Sequence, residues 1–467
     1  MSDRDVAIVG MAGLFPGSPD LRTYWDNVVA GVSAISDPPP GSWDPQVFFD
    51  PASTSPDRVY CKRGGFLSDL TRFEPAAYGV IPTAAQGGEP DQWLALKVAV
   101  SALADAGYDE VPAGVRQKTA VILGKGTYLN RGNFTVVQHG MVVDQTMALV
   151  KTLCPHIGDE ALREIREEFK AQLPPFSPDT VPGLVPNIIA GRIANRLDLM
   201  GPSYTVDAAC ASSLLALDHA VEGLLSGRLD MALAGGAHVV TPVPILMVFC
   251  QLGALSRRQE IRPFDRQADG TILGEGLGMV VLKRRRDAER DGDRIYAFIK
   301  GIGIASDGRG AGVMAPRLEG EVLALQRAYR TADVDPQTIG LVEAHGTGVP
   351  LGDQTEVRAL RTVFGDRAGR SARCGLGSVK SMIGHLMPAA GIASVIKTSL
   401  ALSTRTLPPT LNCEEPNPAL ELDKTPFHIL REATPWIHAS AATPRRAGVN
   451  SFGFGGINAH AVLEEAI

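Results

Sequence analysis

Short apolar runs, broken by glycine, proline and polar clusters, recur along most of the chain. Val6-Ala7-Ile8-Val9-Gly10 predicts a compact strand, followed by a Gly/Pro loop and a helix over residues 21–30. The stretch 36–56, rich in Pro, Asp and Ser, predicts an extended surface loop. A helix is expected over 91–106 and a buried strand over 119–123. From 136 to 176 the periodicity is mixed, as in an irregular cap or subunit contact rather than a separate domain.

Beyond Asn187 the pattern sharpens. A helix is predicted over 188–197, a strand over 204–206, a helix over 212–225 and a buried strand over 231–235. Strands follow at 279–283 and 297–304, with a helix starting near Leu318. Further strands fall at 339–343 and 374–377, a helix at 387–402, and strands at 446–452 and 459–463. This alternation predicts an α/β protein with helix-covered parallel sheets in two halves, 1–293 and 294–467. No low-complexity tract or short solenoid repeat interrupts it.

At 467 residues, 45% hydrophobic and 21% charged, the chain has material for two or three domains or one large duplicated unit. A net charge of -6 gives no broad electrostatic case for nucleic acid or an anionic membrane. The local run Lys283-Arg284-Arg285-Arg286, followed by Asp287 and Glu289, reads as a solvated helix start. The six cysteines lack metal spacing and disulfide-scaffold density, so a reducing, cytoplasmic setting is expected. The amino terminus does not read as a secretory signal, and the apolar run 239–249 is short and broken by Pro242 and Pro244. No membrane span, metal site or dinucleotide fingerprint is expected.

Candidate chemistry gathers in four islands. Cys210 lies in Val206-Asp207-Ala208-Ala209-Cys210-Ala211-Ser212-Ser213-Leu214, where a strand meets an apolar helix. Small neighbours leave room for a thioester, and a helix N-terminus favours a thiolate and an adjacent oxyanion. A lone cysteine is more often structural, so this context alone leaves both readings open. His345, in Glu343-Ala344-His345-Gly346-Thr347-Gly348, is either an accessible imidazole on a tight turn or a satisfied structural histidine. His385 follows Gly377-Ser378-Val379-Lys380-Ser381-Met382-Ile383-Gly384. Lys380 either orients His385 or is a surface cation; Asp353 and Glu356 either join that network or cap a helix. The closing run Asn450-Ser451-Phe452-Gly453-Phe454-Gly455-Gly456-Ile457-Asn458-Ala459-His460 offers backbone N–H groups for an oxyanion, with Phe454 controlling entry of an acyl chain. An aromatic core position is the plainer reading of Phe454, and His460 sits in a strand pattern that argues against a direct role.

Together these islands resemble the β-ketoacyl synthase family, the condensing enzymes of fatty-acid and polyketide biosynthesis. The likeness runs through nearly the whole chain, starting at Ile8-Val9-Gly10-Met11-Ala12-Gly13-Leu14-Phe15-Pro16-Gly17. It implies a thiolase-like αβαβα sandwich of two related halves, assembled as a homodimer. It also implies Cys210 as acyl-thioester nucleophile, His345 and His385 in decarboxylative condensation, and Lys380, Asp353 and Glu356 in support. The backbone N–H groups of Cys210 and Phe454 would be the oxyanion donors, and the Phe454 side chain the gate. No cofactor is bound on this reading; phosphopantetheine arrives on an acyl carrier protein or domain, bearing acyl and malonyl groups.

The retained cysteine argues against a decarboxylase-only or chain-length-factor relative. Cys-His-His argues against thiolases, with their second cysteine, and against the Cys-His-Asn of chalcone-synthase-like enzymes. Pro90-Asp91-Gln92-Trp93-Leu94 departs from the modular synthases, as do Ala209 and Ala211. With Gly124-Lys125-Gly126 and Asn130-Arg131-Gly132, these features look most like iterative polyketide synthases of the enediyne type. The polyunsaturated-fatty-acid synthases are the near alternative. Such domains normally precede acyltransferase and carrier modules, so an excised domain of a larger protein is expected. A non-catalytic acyl-carrier-binding module and a hydrolytic cysteine enzyme stand as competing classes.

Overall fold

The computed structural model describes residues 5–126, 130–310, 312–366, 374–438 and 443–466, with the side chains of 86, 87 and 179 left aside. Most of the amino-terminal run read for a signal, Met1–Arg4, lies outside the described residues. An 11-stranded sheet organises the chain. Its strands are β1 Val6–Leu14, β2 Thr119–Gly124, β3 Ser203–Val206, β4 Met231–His238, β5 Gly276–Arg284 and β6 Ala297–Ser306, then β7 Leu341–Glu343, β8 Cys374–Gly377, β9 Phe427–Ile429, β10 Arg446–Gly453 and β11 Ile457–Glu465. The order across the sheet is β9-β8-β7-β10-β11-β6-β1-β5-β4-β2-β3.

The order repeats about the β1–β6 seam. On one side it runs β1-β5-β4-β2-β3, on the other β6-β11-β10-β7-β8, which is one plan used twice. In each half the first two pairings are antiparallel and the next two parallel. The expectation of parallel sheets therefore holds only for the outer strands. Gly453–Gly456 lets β10 reverse tightly into β11, and an adjacent hairpin strand must run antiparallel. The halves meet through a short register, Val6↔Ile299, Ala7↔Phe298 and Ile8↔Ala297.

Alternation along the strands separates the layers. Val6 and Ile8 enter the central apolar cluster, whereas Ala7 and Val9 face an outer one. Ala120 and Ile122 diverge from Val121 and Leu123 in the same way. The helices Ser212–Leu225 and Ala390–Thr404 pack together in the middle layer, touching strands of both halves. Residues 390–402 of the second helix are buried on every side, as expected of a helix enclosed by sheet. Helix Pro90–Asp105 covers β1 and β5, and helix Leu318–Ala332 covers β6 and β11. Both approach over glycine: a Cβ on Gly10 would lie 2.5 Å from Ala102 O, and one on Gly303 2.2 Å from Ala324 O. The result is the thiolase-like αβαβα sandwich.

Three local expectations change. The 36–56 loop contains a helical turn, Pro45–Phe48, and Ile35–Ser36 pairs with Gly64–Gly65. The 136–176 region is mostly helix, Val143–Leu153 and Asp159–Ala171, and its irregularity is confined to a π-helical stretch over Gln138–Val142 and the connections at 154–158 and 172–176. The basic run is not a solvated helix start at its first two positions, because Lys283 and Arg284 end β5. Lys283 is buried and donates to Tyr108 Oη (2.7 Å) and Asp291 (2.6 Å), while Arg284 pairs with Asp230 (2.6 Å). Among the described residues no helix is long and apolar enough to cross a membrane.

Candidate active site

The turn between β3 and the Ser212–Leu225 helix fixes Cys210. Ala209 adopts φ +48°, a left-handed conformation that costs an L residue about 1 kcal/mol. Ser212 holds it there: Oγ donates to Ala209 O (2.6 Å) and accepts from Ala208 N–H (2.8 Å). Ser451 Oγ donates to Cys210 O (2.7 Å), tying the turn to β10. Gly453 passes so close that a Cβ would stand 2.5 Å from Ala208 O. Cys210 is thus buried at a helix N-terminus, with the N–H groups of Phe454 and of Cys210 itself directed at its sulfur. Burial pushes its thiol up to about 12, against the lowering effects of Lys380 and these N–H groups.

The second half brings both histidines to this sulfur. His345 follows β7 on a loop stapled by two buried carboxylates. Glu356 accepts His345 N–H (2.7 Å), Gly346 N–H (2.8 Å) and Asn450 Nδ2 (2.7 Å). Asp353 accepts the N–H groups of Thr347 (3.1 Å), Gly348 (3.2 Å) and Phe264 (2.8 Å). Neither acid is a solvent-facing cap; burial raises both, Asp353 to about 7. Gly346 and Gly348, at φ +38° and +75°, let the loop turn this tightly.

His385 Nε2 stands 3.1 Å from Cys210 Sγ, and its Nδ1 accepts from Met387 N–H at 3.3 Å. His345 Nδ1 accepts from Phe452 N–H at 3.4 Å. These roles leave the proton on Nε2 in both rings. The rings lie nearly perpendicular (86°), centroids 5.4 Å apart. Both pKa values lie well below the ordinary 6.5, through burial first and then the Lys380 charge.

Lys380 is buried, and the nitrogens of His385 face other groups, so it reaches that imidazole through charge rather than a hydrogen bond. Glu343 and Glu356 favour its cation against the burial that lowers it. Beneath it lies an ion pair that the sequence reading missed: Lys397 Nζ to Glu343 Oε2, 2.5 Å, both side chains essentially unexposed. Glu343 Oε1 also accepts Val379 N–H (2.7 Å), anchoring the turn that carries Lys380. The available signals were a charge ending an apolar strand and a lysine inside an apolar helix. His460 contacts Asn450 Oδ1 and Tyr329 Oη, supporting the Glu356 network without lining the cavity.

A cavity of about 280 Å³ joins Cys210, His345, His385 and Phe454. Phe454, 37% exposed, stacks on Phe249 with centroids 5.7 Å apart. Exposed Leu252, Val313, Met314 and Leu351 also line the cavity and connect it to the surface. Among the described residues no cluster of three or more His, Cys, Asp or Glu is arranged to hold a metal.

Residues 3–288 match the family description "Beta-ketoacyl synthase, N-terminal domain", and 296–414 the corresponding C-terminal domain. Residues 416–467 match the "Ketoacyl-synthetase C-terminal extension". The chain belongs to the β-ketoacyl synthase family, acyltransferase-type condensing enzymes. Within it, the chain is 38% identical to a polyunsaturated fatty acid synthase of Thraustochytrium sp., over 99% of this chain and 16% of that protein. It is 36% identical to polyketide synthase PksN of Bacillus subtilis, over 99% of this chain and 8% of that protein. The chain thus spans less than a fifth of either relative. Among solved structures, the oxazolomycin ketosynthase domain OzmH KS7 of Streptomyces albus gives a TM-score of 0.84 at 32% identity, covering 99% of this chain and 75% of that one. The ketosynthase from module 6 of the Bacillus subtilis bacillaene synthase gives 0.82 at 34% identity, covering 99% and 72%.

Proposed function

We propose that this chain performs decarboxylative Claisen condensation between a Cys210-bound acyl group and malonyl carrier protein. The observation that carries this reading is the convergence of one thiol and two neutral Nε2–H donors on a single cavity. Cys210 Sγ attacks the incoming acyl thioester, and the N–H groups of Cys210 and Phe454 hold the tetrahedral oxyanion. The carrier's sulfur leaves with the thiol proton, and the acyl group stays on Cys210. The malonyl thioester then places its carbonyl oxygen against His345 and His385. Its carboxylate leaves as carbon dioxide, and the electron pair of the broken bond forms an enolate held by both Nε2–H groups. The enolate carbon attacks the Cys210 thioester, forming a carbon–carbon bond and expelling Sγ. Phosphopantetheine is the partner's arm, and Phe454 gates the acyl group's path. Mass spectrometry of carrier-bound product tests the proposal. A product two carbons longer, with carbon dioxide released, supports it; hydrolysis without extension points to the cysteine-hydrolase alternative, and absence of all turnover to a binding module.

Because burial and Lys380 depress both imidazoles, they stay neutral well below pH 6.5. The acid limb of condensation should therefore lie below 6.5. Lys380→Met removes a neighbouring positive charge, so imidazole protonation becomes easier and the limb moves upward. The same change raises the Cys210 thiol and slows its alkylation, since Lys380 lowers that pKa. A wild-type limb at 6.5, or a downward shift in the folded variant, contradicts the assignment.

A homodimer follows on the same reading. β3 ends the sheet with all four residues half-buried, an edge suited to pairing with a second copy. Sedimentation should give twice 49.5 kDa, and a monomer at micromolar concentration would refute it. The parent protein is read as a larger synthase with acyltransferase and carrier domains. Its enediyne-type assignment rests on the 90–94 motif, Ala209, Ala211 and the glycine-rich runs near 125 and 131, while the Thraustochytrium relative supports the polyunsaturated-fatty-acid alternative. Counting condensations on the native carrier and the reductions between them separates the two.

A further inference from the structure

Two residues of the cavity wall, Glu321 and Thr271, each carry a buried polar atom, Oε2 and Oγ1, with no hydrogen-bond partner among the described residues. Glu321 is 2% exposed and Thr271 3%. Glu321 comes from the Leu318–Ala332 helix, and burial, then the charges of Glu356 and Asp307, raise its carboxyl well above the usual range, which favours the protonated form. Thr271 comes from the segment alongside His385, where Ile272 O accepts His385 N–H (2.7 Å). Its own N–H and C=O are used by Ala254 and Ser256 (2.8 Å each), leaving the hydroxyl as its uncommitted group. The same cavity is also lined by the apolar side chains of Phe249, Val313, Met314, Val349 and Leu351.

Buried polar atoms without partners are uncommon, and the condensation chemistry uses neither of these. A hydrocarbon ligand would strand both, whereas a ligand carrying an amide or hydroxyl would satisfy them. We propose that Glu321 and Thr271 form a polar subsite that hydrogen-bonds a neutral oxygen function of the thioester ligand and selects such ligands over plain hydrocarbon thioesters. Protonated Glu321 donates to an oxygen; Thr271 donates or accepts. The oxygen function belongs either to an amide of the carrier's arm or to a hydroxyl on the acyl chain. The subsite rests on the condensing reading above.

Acylation of Cys210, followed by intact-protein mass spectrometry, separates the sources with donors of equal acyl length. One is an N-acetylcysteamine thioester, one a butanethiol thioester, and one a butanethiol thioester of the 3-hydroxyacyl chain. Glu321→Leu and Thr271→Val should each raise KM about tenfold, the factor for one lost hydrogen bond, with kcat nearly unchanged. The loss should appear with the amide donor if the arm is bound, or with the hydroxyl donor if the chain is. The plain donor should be unaffected, and Glu321→Gln should restore most of the affinity. Equal effects on all three donors, or none on any, overturn the subsite. Calorimetry with the non-transferable ketone analogues of the amide and hydroxyl donors tests it without turnover. Weaker binding of either by Glu321→Leu supports the subsite, and unchanged binding of both rejects it. Failure of the wild type to acylate with any donor counts against the condensing reading instead.

Discussion

Cys210→Ala protein is expected to acquire no acyl group and to yield no extended carrier product, a loss of at least about 10³-fold. The substitution removes one sulfur between Ala209 and Ala211, where a methyl side chain fits, so the fold should persist. Cys210 is the cavity's only thiol among the described residues; Cys61, Cys250, Cys374 and Cys413 are buried elsewhere, and Cys154 is half-buried away from the cavity. The Nε2–H donors of His345 and His385 remain, so malonyl decarboxylation should continue without extension. Intact-protein mass spectrometry and carbon dioxide release read the two steps separately. Acyl loading that persists on the folded variant would remove Cys210 from the mechanism.

Lys397→Met should destabilise the protein by about 3–5 kcal/mol, because it leaves Glu343 charged and unpaired in a dry interior. The double substitution Glu343→Leu/Lys397→Met should recover part of that loss by removing the stranded charge. Recovery is incomplete because Val379 N–H then lacks its acceptor, at about 1–3 kcal/mol. Denaturant unfolding measures both, and a Lys397→Met variant within about 1 kcal/mol of wild type would show that the pair is dispensable. Activity should fall along with stability, since Val379 immediately precedes Lys380.

The elements that formed where expected are those whose signals are local. Leu21–Ala30 and Ser212–Leu225 combine periodicity with clear boundaries, and Cys374–Gly377 is a short apolar run between breaks. Cys210, His345 and His385 stood out because small or glycine neighbours left their chemistry accessible. Pairing across the sheet is different, since whether β11 runs with or against β6 depends on residues more than 150 positions apart. Glu343 and Lys397 are 54 positions apart, and each looks ordinary until the fold closes on the other. The same applies to Lys283, whose partners lie beyond the basic run that made it look solvated.

The doubled strand order carries a final consequence. One copy of the plan carries Cys210, and the other carries His345, His385, the Asp353 and Glu356 staples and Phe454. On the proposed mechanism neither copy alone holds a complete reaction centre, so condensation requires the β1–β6 seam to be closed. Any disturbance there separates nucleophile from oxygen-binding groups in one movement, making activity an all-or-none reporter of how the two copies are seated. A species with that seam open would also part the two middle-layer helices, which touch strands of both copies, and would be silent in every assay of acyl transfer.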